Sequence, residues 1–158
     1  MGNLKDNRGF TLIELALVIV CLSYLAMSAI PRDGSLAPIT LDAAARKVKS
    51  DLRYAQSMAT TTGDPHGFQV TAANRYRIYN VTTGQTIISP YDNAAMTEDL
   101  SVDYGESLFR SATYHVIFDG FGRPSTGGGT SIFLEDADQQ FSKEVQISST
   151  SGFVSLEQ

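Results

Sequence analysis

Few residues in this sequence stand at spacings that chemistry uses, and each such group fails at a definite point. Gly122-Arg-Pro-Ser-Thr-Gly127 has the glycine spacing of a phosphate loop. Gly128 and Gly129, however, occupy the places where Lys and Ser/Thr must grip phosphate and metal. The segment reads as a hairpin loop. Asp136 and Asp138 begin like a calcium loop, but its twelfth position is Ile147, so the bidentate carboxylate is missing. Asp92, Asp99 and Asp103 are loop carboxylates that would hold calcium only by meeting in space. His66 and His115 stand alone, without Cys or His at zinc-ligand spacing. No nucleophile, base and orienting group form a set. The expectation is a non-enzymatic protein with no catalytic residue, metal or cofactor.

The residue out of place is Glu14. It is the one charge in Phe10–Ile30, a run of 21 residues that at about 1.5 Å each spans roughly 31 Å, the thickness of a bilayer core. Its Leu, Ile, Val and Phe residues favour insertion by about 5 kcal/mol in total. A deep Glu14 opposes this by roughly 3 kcal/mol, so insertion still wins. Lys5 and Arg8 precede the run, which leaves the short N-terminus in the cytoplasm and sends the rest across. A secretory signal would offer the same run with Ala26-Met27-Ser28 as its cleavage site, and a plain anchor would offer the run alone. Neither explains a carboxylate at its fifth position.

The stretch Arg8-Gly9-Phe10-Thr11-Leu12-Ile13-Glu14-Leu15 resembles the processing motif of type IV pilins and pseudopilins. The resemblance implies that a prepilin peptidase cuts between Gly9 and Phe10 and that Phe10 is N-methylated. Pro31 stands at the mature position where family members often carry proline. Cleavage creates an α-amino group that is largely protonated at neutral pH. A carboxylate in lipid needs a positive partner, and Phe10 and Glu14 share one helical face, so Glu14 could pair with its own terminus. It could also snorkel to the headgroups. The resemblance implies instead that it pairs with the terminus of a neighbouring subunit during assembly.

Pro31-Arg32-Asp33-Gly34-Ser35-Leu36-Ala37-Pro38 is punctuation, and Pro31 predicts a kink or break after Ile30. Thr40 is the expected N-cap of a second helix, whose Leu41, Ala44, Ala45, Val48, Leu52, Ala55 and Ala59 recur at three- and four-residue steps. Arg46, Lys47, Lys49 and Arg53 form a basic face that could grip an acidic neighbour, although a solvated helix face is the default reading. Gly63-Asp64-Pro65 ends the helix. Strands are predicted at 67–71, 76–81, 86–88, 102–104, 114–118, 131–134, 145–147 and 153–156. The order Val116–Pro124, Ile132–Leu134, Val145–Ile147 and Gly152–Val154 resembles the globular domain of type II secretion protein H and FimT-type minor pilins.

The expected fold is therefore α+β and pilin-like: an N-terminal transmembrane helix and a second amphipathic helix packed on antiparallel sheets. Residues 1–9 are the expected cleaved leader, 10–30 the membrane and assembly helix, 31–39 a kink or linker, and 40–158 a periplasmic globular domain. The resemblance implies a minor pseudopilin or minor pilin of the inner membrane. Its partners would be other pilins, the prepilin peptidase and the inner-membrane assembly platform, and it would start or cap a filament for protein secretion. Two alternatives stand beside this. A DNA-uptake minor pilin would need exposed arginines, but no Arg or Lys follows Lys143, and Arg75 and Arg77 would serve only if both face outward. The net charge of −5 also disfavours a nucleic-acid partner. The other alternative is a soluble periplasmic binding domain with an ordinary signal peptide.

Overall fold

The computed structural model of the protein describes residues 11–28, 37–91 and 93–157. The chain divides into two compact units, residues 1–35 and 36–158. In the first, α1 runs over Leu12–Ser28. Its 17 residues rise about 25 Å, and among the described residues no helix is long and apolar enough to cross a membrane. Gly9, Phe10 and Pro31 lie outside the described residues.

The second unit is organised by α2, Ala37–Thr62. It begins three residues before the expected cap, so the last part of the expected 31–39 connection is helical. Pro38 permits this, because the first turn of a helix needs no amide hydrogen there and proline presets φ. Thr40 is not the cap; its hydroxyl donates back to the Ala37 carbonyl at 3.1 Å. The helix stops where expected. Gly63 takes φ +75°, and its N–H bonds to the Ala59 carbonyl at 2.9 Å, a left-handed ending that glycine adopts without cost.

Among the described residues nine strands follow as two antiparallel sheets. The first contains β1 (His66–Ala72), β2 (Arg75–Asn80), β3 (Thr97–Asp99), β5 (His115–Phe118) and β6 (Pro124–Thr126), in the order β3-β2-β1-β5-β6. The second contains β4 (Leu108–Phe109), β7 (Ser131–Glu135), β8 (Ser142–Ile147) and β9 (Val154–Glu157), in the order β4-β7-β8-β9. Alternate residues of β5 and β7 are buried, the pattern of strands with one face on a core. Ile132 sits opposite Val145, and Ile147 opposite Val154.

Both sheets close on α2, which packs against β1, β2 and β5 on one side and β7, β8 and β9 on the other. Every apolar residue expected on its inner face is buried. The alanines let the strands approach closely, while Leu41, Val48 and Leu52 fill the remaining space. Phe68, Tyr76 and Phe109 form an aromatic cluster beside them, with the Tyr76 and Phe109 rings edge to face at 5.8 Å.

Three local expectations are corrected. Residues 102–104 do not form a strand. Leu100–Asp103 form the short helix α3, because the Asp99 side chain caps it by accepting the Ser101 N–H. This leaves Val102 in solvent, so its β-branched shape decides nothing. The predicted 86–88 strand reduces to isolated bridges, Tyr79 to Thr86 and Ile88 to Ala95. The segment from Gly122 to Gly127 is not all loop. Pro124–Thr126 pair with β5, and the turn lies earlier, where the Gly122 N–H bonds to the Asp119 carbonyl at 2.8 Å.

Candidate functional site

Glu14 stands in the first turn of α1. Thr11 caps that helix: its carbonyl accepts the Leu15 N–H at 3.1 Å and its hydroxyl oxygen accepts the Glu14 N–H at 3.3 Å. Thr11-Leu12-Ile13-Glu14 is thus a Thr-x-x-Glu start signal, which fixes the backbone that carries the carboxylate. Ser23 turns its hydroxyl inward to the Ile19 carbonyl at 2.8 Å. The remaining surface of α1 is almost wholly apolar. Leu12, Ile13, Leu17, Val20, Leu22 and Leu25 are exposed although they point in different directions around the axis. Covering each would gain about 1.5–3 kcal/mol. A helix apolar on every side and carrying one carboxylate is built for burial among other apolar elements.

In the second unit the densest polar arrangement lies on the inner side of α2. Asp51, 6% exposed, interrupts the apolar stripe. It accepts from the Tyr76 hydroxyl at 2.8 Å and from Lys47 Nζ at 2.7 Å, and Lys47 also reaches Glu98 at 3.3 Å. Burial, and then the negative charge of Asp51, drive the Tyr76 pKa far above that of an ordinary phenol. Burial works against the charge of Lys47, but Asp51 and Glu98 outweigh it and raise its pKa. Among the described residues no buried side-chain polar atom lacks a partner. This network joins α2 to β2 and β3; no group in it is free to attack a substrate.

The outer side of α2 is different. Arg46, Lys49, Ser50 and Arg53, with Leu156 of β9, line a groove of about 290 Å³. Farther along, Gln56 Nε2 donates to the Gly122 carbonyl at 2.7 Å and to the Ser151 carbonyl at 3.0 Å, clasping two turns together. The turns meet closely: a side-chain carbon on Gly152, whose φ is +69°, would stand 2.7 Å from the Gly122 oxygen. Each turn presents an aromatic ring under an arginine. Arg123 lies over Phe121, which is 81% exposed, and Arg53 lies over Phe153, which is 57% exposed.

The other residues nominated by sequence do not converge. Asp99 accepts from Arg75, Asn74 and Ser101, and Ser101, followed by Arg75, holds its pKa down to about 2. Asp103 is exposed, and Asp92 lies outside the described residues. Asp136 orders its own turn by accepting the Phe141 N–H at 2.8 Å. His66 contacts the Asp64 carbonyl at 2.9 Å, and His115 the Tyr79 hydroxyl at 2.6 Å. Among the described residues no group of three or more His, Cys, Asp or Glu is placed to hold a metal. Arg75 and Arg77 do share the outward face of β2, but Arg75 is paired with Asp99 and Arg77 with Gln69. Asp51 and Gln56 were not singled out from sequence. Lys47 four residues before Asp51 was a usable signal, whereas nothing local marks Gln56.

An apolar helix ahead of a head in which one long helix carries two antiparallel sheets defines the pilin-like class. Residues 44–151 match the family model of type II transport protein GspH. The chain belongs to the GspH family of the pilin and pseudopilin superfamily. It also resembles the Pseudomonas aeruginosa type IV minor pilin FimU in two crystal forms. One is 19% identical, with 78% of this chain and 92% of that chain covered at a TM-score of 0.57. The other is 18% identical, with 75% and 93% covered at 0.53. At such identities the likeness is one of fold. No curated protein sequence matches the chain.

Proposed function

We propose that this protein is a minor pseudopilin or minor pilin, a structural subunit rather than an enzyme. It is held in the inner membrane with its head in the periplasm, and it helps to start or cap a filament used for protein secretion. The observation that carries the reading is α1: a capped helix, apolar all round, with a single carboxylate in its first turn, in a chain of the GspH family. Such a helix is unstable in water and stable in lipid or against its own kind.

In this reading prepilin peptidase cuts between Gly9 and Phe10, Phe10 is N-methylated, and residues 10–30 enter the bilayer. Residues 40–158 then form the periplasmic head, joined through a connection that Pro31 kinks. Glu14 pairs with the charged terminus of an adjacent subunit, which offsets the cost of holding each charge in lipid and fixes the offset between helices. Other pilins, the peptidase and the inner-membrane platform are the partners. Arg75 is neutralised by Asp99, while Arg77 keeps its charge but is tied to the Gln69 amide and lies over the Tyr79 ring, so the pair offers little to DNA.

The test is the mass of the N-terminal peptide from protein made with its native machinery. A chain starting at N-methylated Phe10 supports the assignment. A chain starting near Ala29 indicates an ordinary signal peptide, and an uncut Met1 a plain anchor; either result removes the filament reading.

A further inference from the structure

Four of the cationic residues of a chain with net charge −5 stand within one stretch of eight, from Arg46 to Arg53. Lys47 is turned inward to Asp51 and Glu98, while Arg46, Lys49 and Arg53 follow one another at helical steps along the groove on the outer side of α2. Arg46 is paired with Asp42 at 2.7 Å, whereas among the described residues Lys49 makes no ion pair and Arg53 is engaged only with the Phe153 ring. Lys49 and Arg53 therefore make the groove basic, with Leu156 in its wall and the Phe153 ring beneath Arg53.

A complementary surface lies on the same head. Val102, 75% exposed, is flanked by Asp103 and Glu106, both exposed and neither in an ion pair among the described residues. Glu106 is held at φ +60°, a conformation that an L residue adopts only when its surroundings enforce it. This knob sits at the start of α2, because a side-chain carbon on its Gly105 would lie 3.0 Å from Thr40 Oγ1. Arg53 is thirteen residues farther along, roughly 20 Å up the helix axis. The acidic knob and the basic groove thus occupy different levels of one head.

The geometry points to a head-to-tail contact in which the groove of Arg46, Lys49 and Arg53 receives the Val102–Asp103–Glu106 knob of a second copy of this chain. A symmetric dimer through the groove would set cations against cations. The offset pairing sets cations against carboxylates and puts Val102 against Leu156 and Phe153. Because the two patches differ, the contact is heterologous and joins one copy to the next at a different level rather than closing into a symmetric pair. This inference rests on the filament reading. Head pairing and cleavage after Gly9 are measured separately, so either can fail alone.

The test uses the full chain in detergent micelles, with Cys21→Ser removing the native thiol. Chains carrying Ser50→Cys and chains carrying Val102→Cys, tagged to differ in size, are mixed and treated with a short bismaleimide. The expected result is a mixed cross-linked product whose yield falls as salt rises. Lys49→Glu with Arg53→Glu should lower that yield about tenfold, and Asp103→Lys with Glu106→Lys on the partner chain should restore it. All four positions are on the surface, and an unchanged Tm verifies that the variants fold. A yield indifferent to charge reversal overturns the proposal, as does a dominant product between two Ser50→Cys chains. Absence of the mixed product together with Lys49- and Arg53-dependent binding to phosphatidylglycerol vesicles also overturns it, by showing that the groove takes a lipid headgroup.

Discussion

Replacing Tyr76 by Phe removes one hydroxyl from the fully buried side of α2 and leaves the ring in its aromatic cluster. The lost bond is the 2.8 Å donation to Asp51, whose other side-chain donor among the described residues is Lys47 at 2.7 Å. A hydrogen bond to a charged acceptor contributes about 1.5–3 kcal/mol. At roughly 2–4 °C per kcal/mol for a protein of this size, Tm should fall by about 3–12 °C. The background decides whether the cause is right. In an Asp51→Ala chain the Tyr76 hydroxyl has lost its acceptor, so the same Tyr76→Phe change should cost almost nothing or even stabilise. Thermal unfolding followed by circular dichroism on the four chains of the cycle measures this. Equal costs in the two backgrounds, to within about 0.5 kcal/mol, would refute the reasoning. Alkali gives a second reading of the bond. The folded state keeps the Tyr76 proton above pH 10, where the unfolded chain gives its proton up, so stability must fall as pH rises. The Tyr76 share of that slope is about 1.4 kcal/mol per pH unit, and Tyr76→Phe should abolish it.

Asp99, held down to about 2 by Ser101 and Arg75, keeps its charge in the folded state below pH 4 while the unfolded chain binds a proton. Its stabilisation is complete above about pH 4 and is lost as pH falls toward 2; Asp99→Asn should flatten urea midpoints across that window. Gly152→Ala forces a methyl group against the Gly122 oxygen at a positive φ, and should destabilise by more than about 1 kcal/mol in chemical denaturation. Gly9→Leu should leave the precursor uncut by mass spectrometry, and normal maturation would exclude the peptidase. Glu14→Leu should still fractionate with membranes yet fail to enter filaments, and wild-type incorporation would deny Glu14 a pairing role.

The inner face of α2 was readable because seven apolar positions repeat the helical period, and a pattern of that length outlasts local exceptions. Asp51 falls on the same face and was passed over, since a carboxylate reads as solvated until its donors are known. Strands β5, β7, β8 and β9 announced themselves by β-branched and aromatic residues at half-buried alternation. By contrast β3, Thr-Glu-Asp, has no such residue beyond its threonine and is held in place by pairing with β2. The Asp-x-Ser cap that makes α3 was present in sequence but lost to Val102 and Tyr104, whose shapes suit strands. The roles of Gly9, Phe10 and Glu14 rest on resemblance, with Gly9 and Phe10 outside the described residues; the Thr11 cap shows only that Glu14 stands in the first turn of α1. The outer surfaces were not legible, because Gln56, Gly122 and Gly152 come together only through the fold.

The placement of α2 has a mechanical side. It is the element through which the polypeptide enters the head after α1, and it is also the one that both sheets grip. Tension arriving from that direction meets the best-buried segment first, not an edge strand that could peel away one hydrogen bond at a time. Yielding would require the apolar face from Leu41 to Ala59 to slip out of two sheets in a single event. A head wired in this order transmits a pull before it unravels.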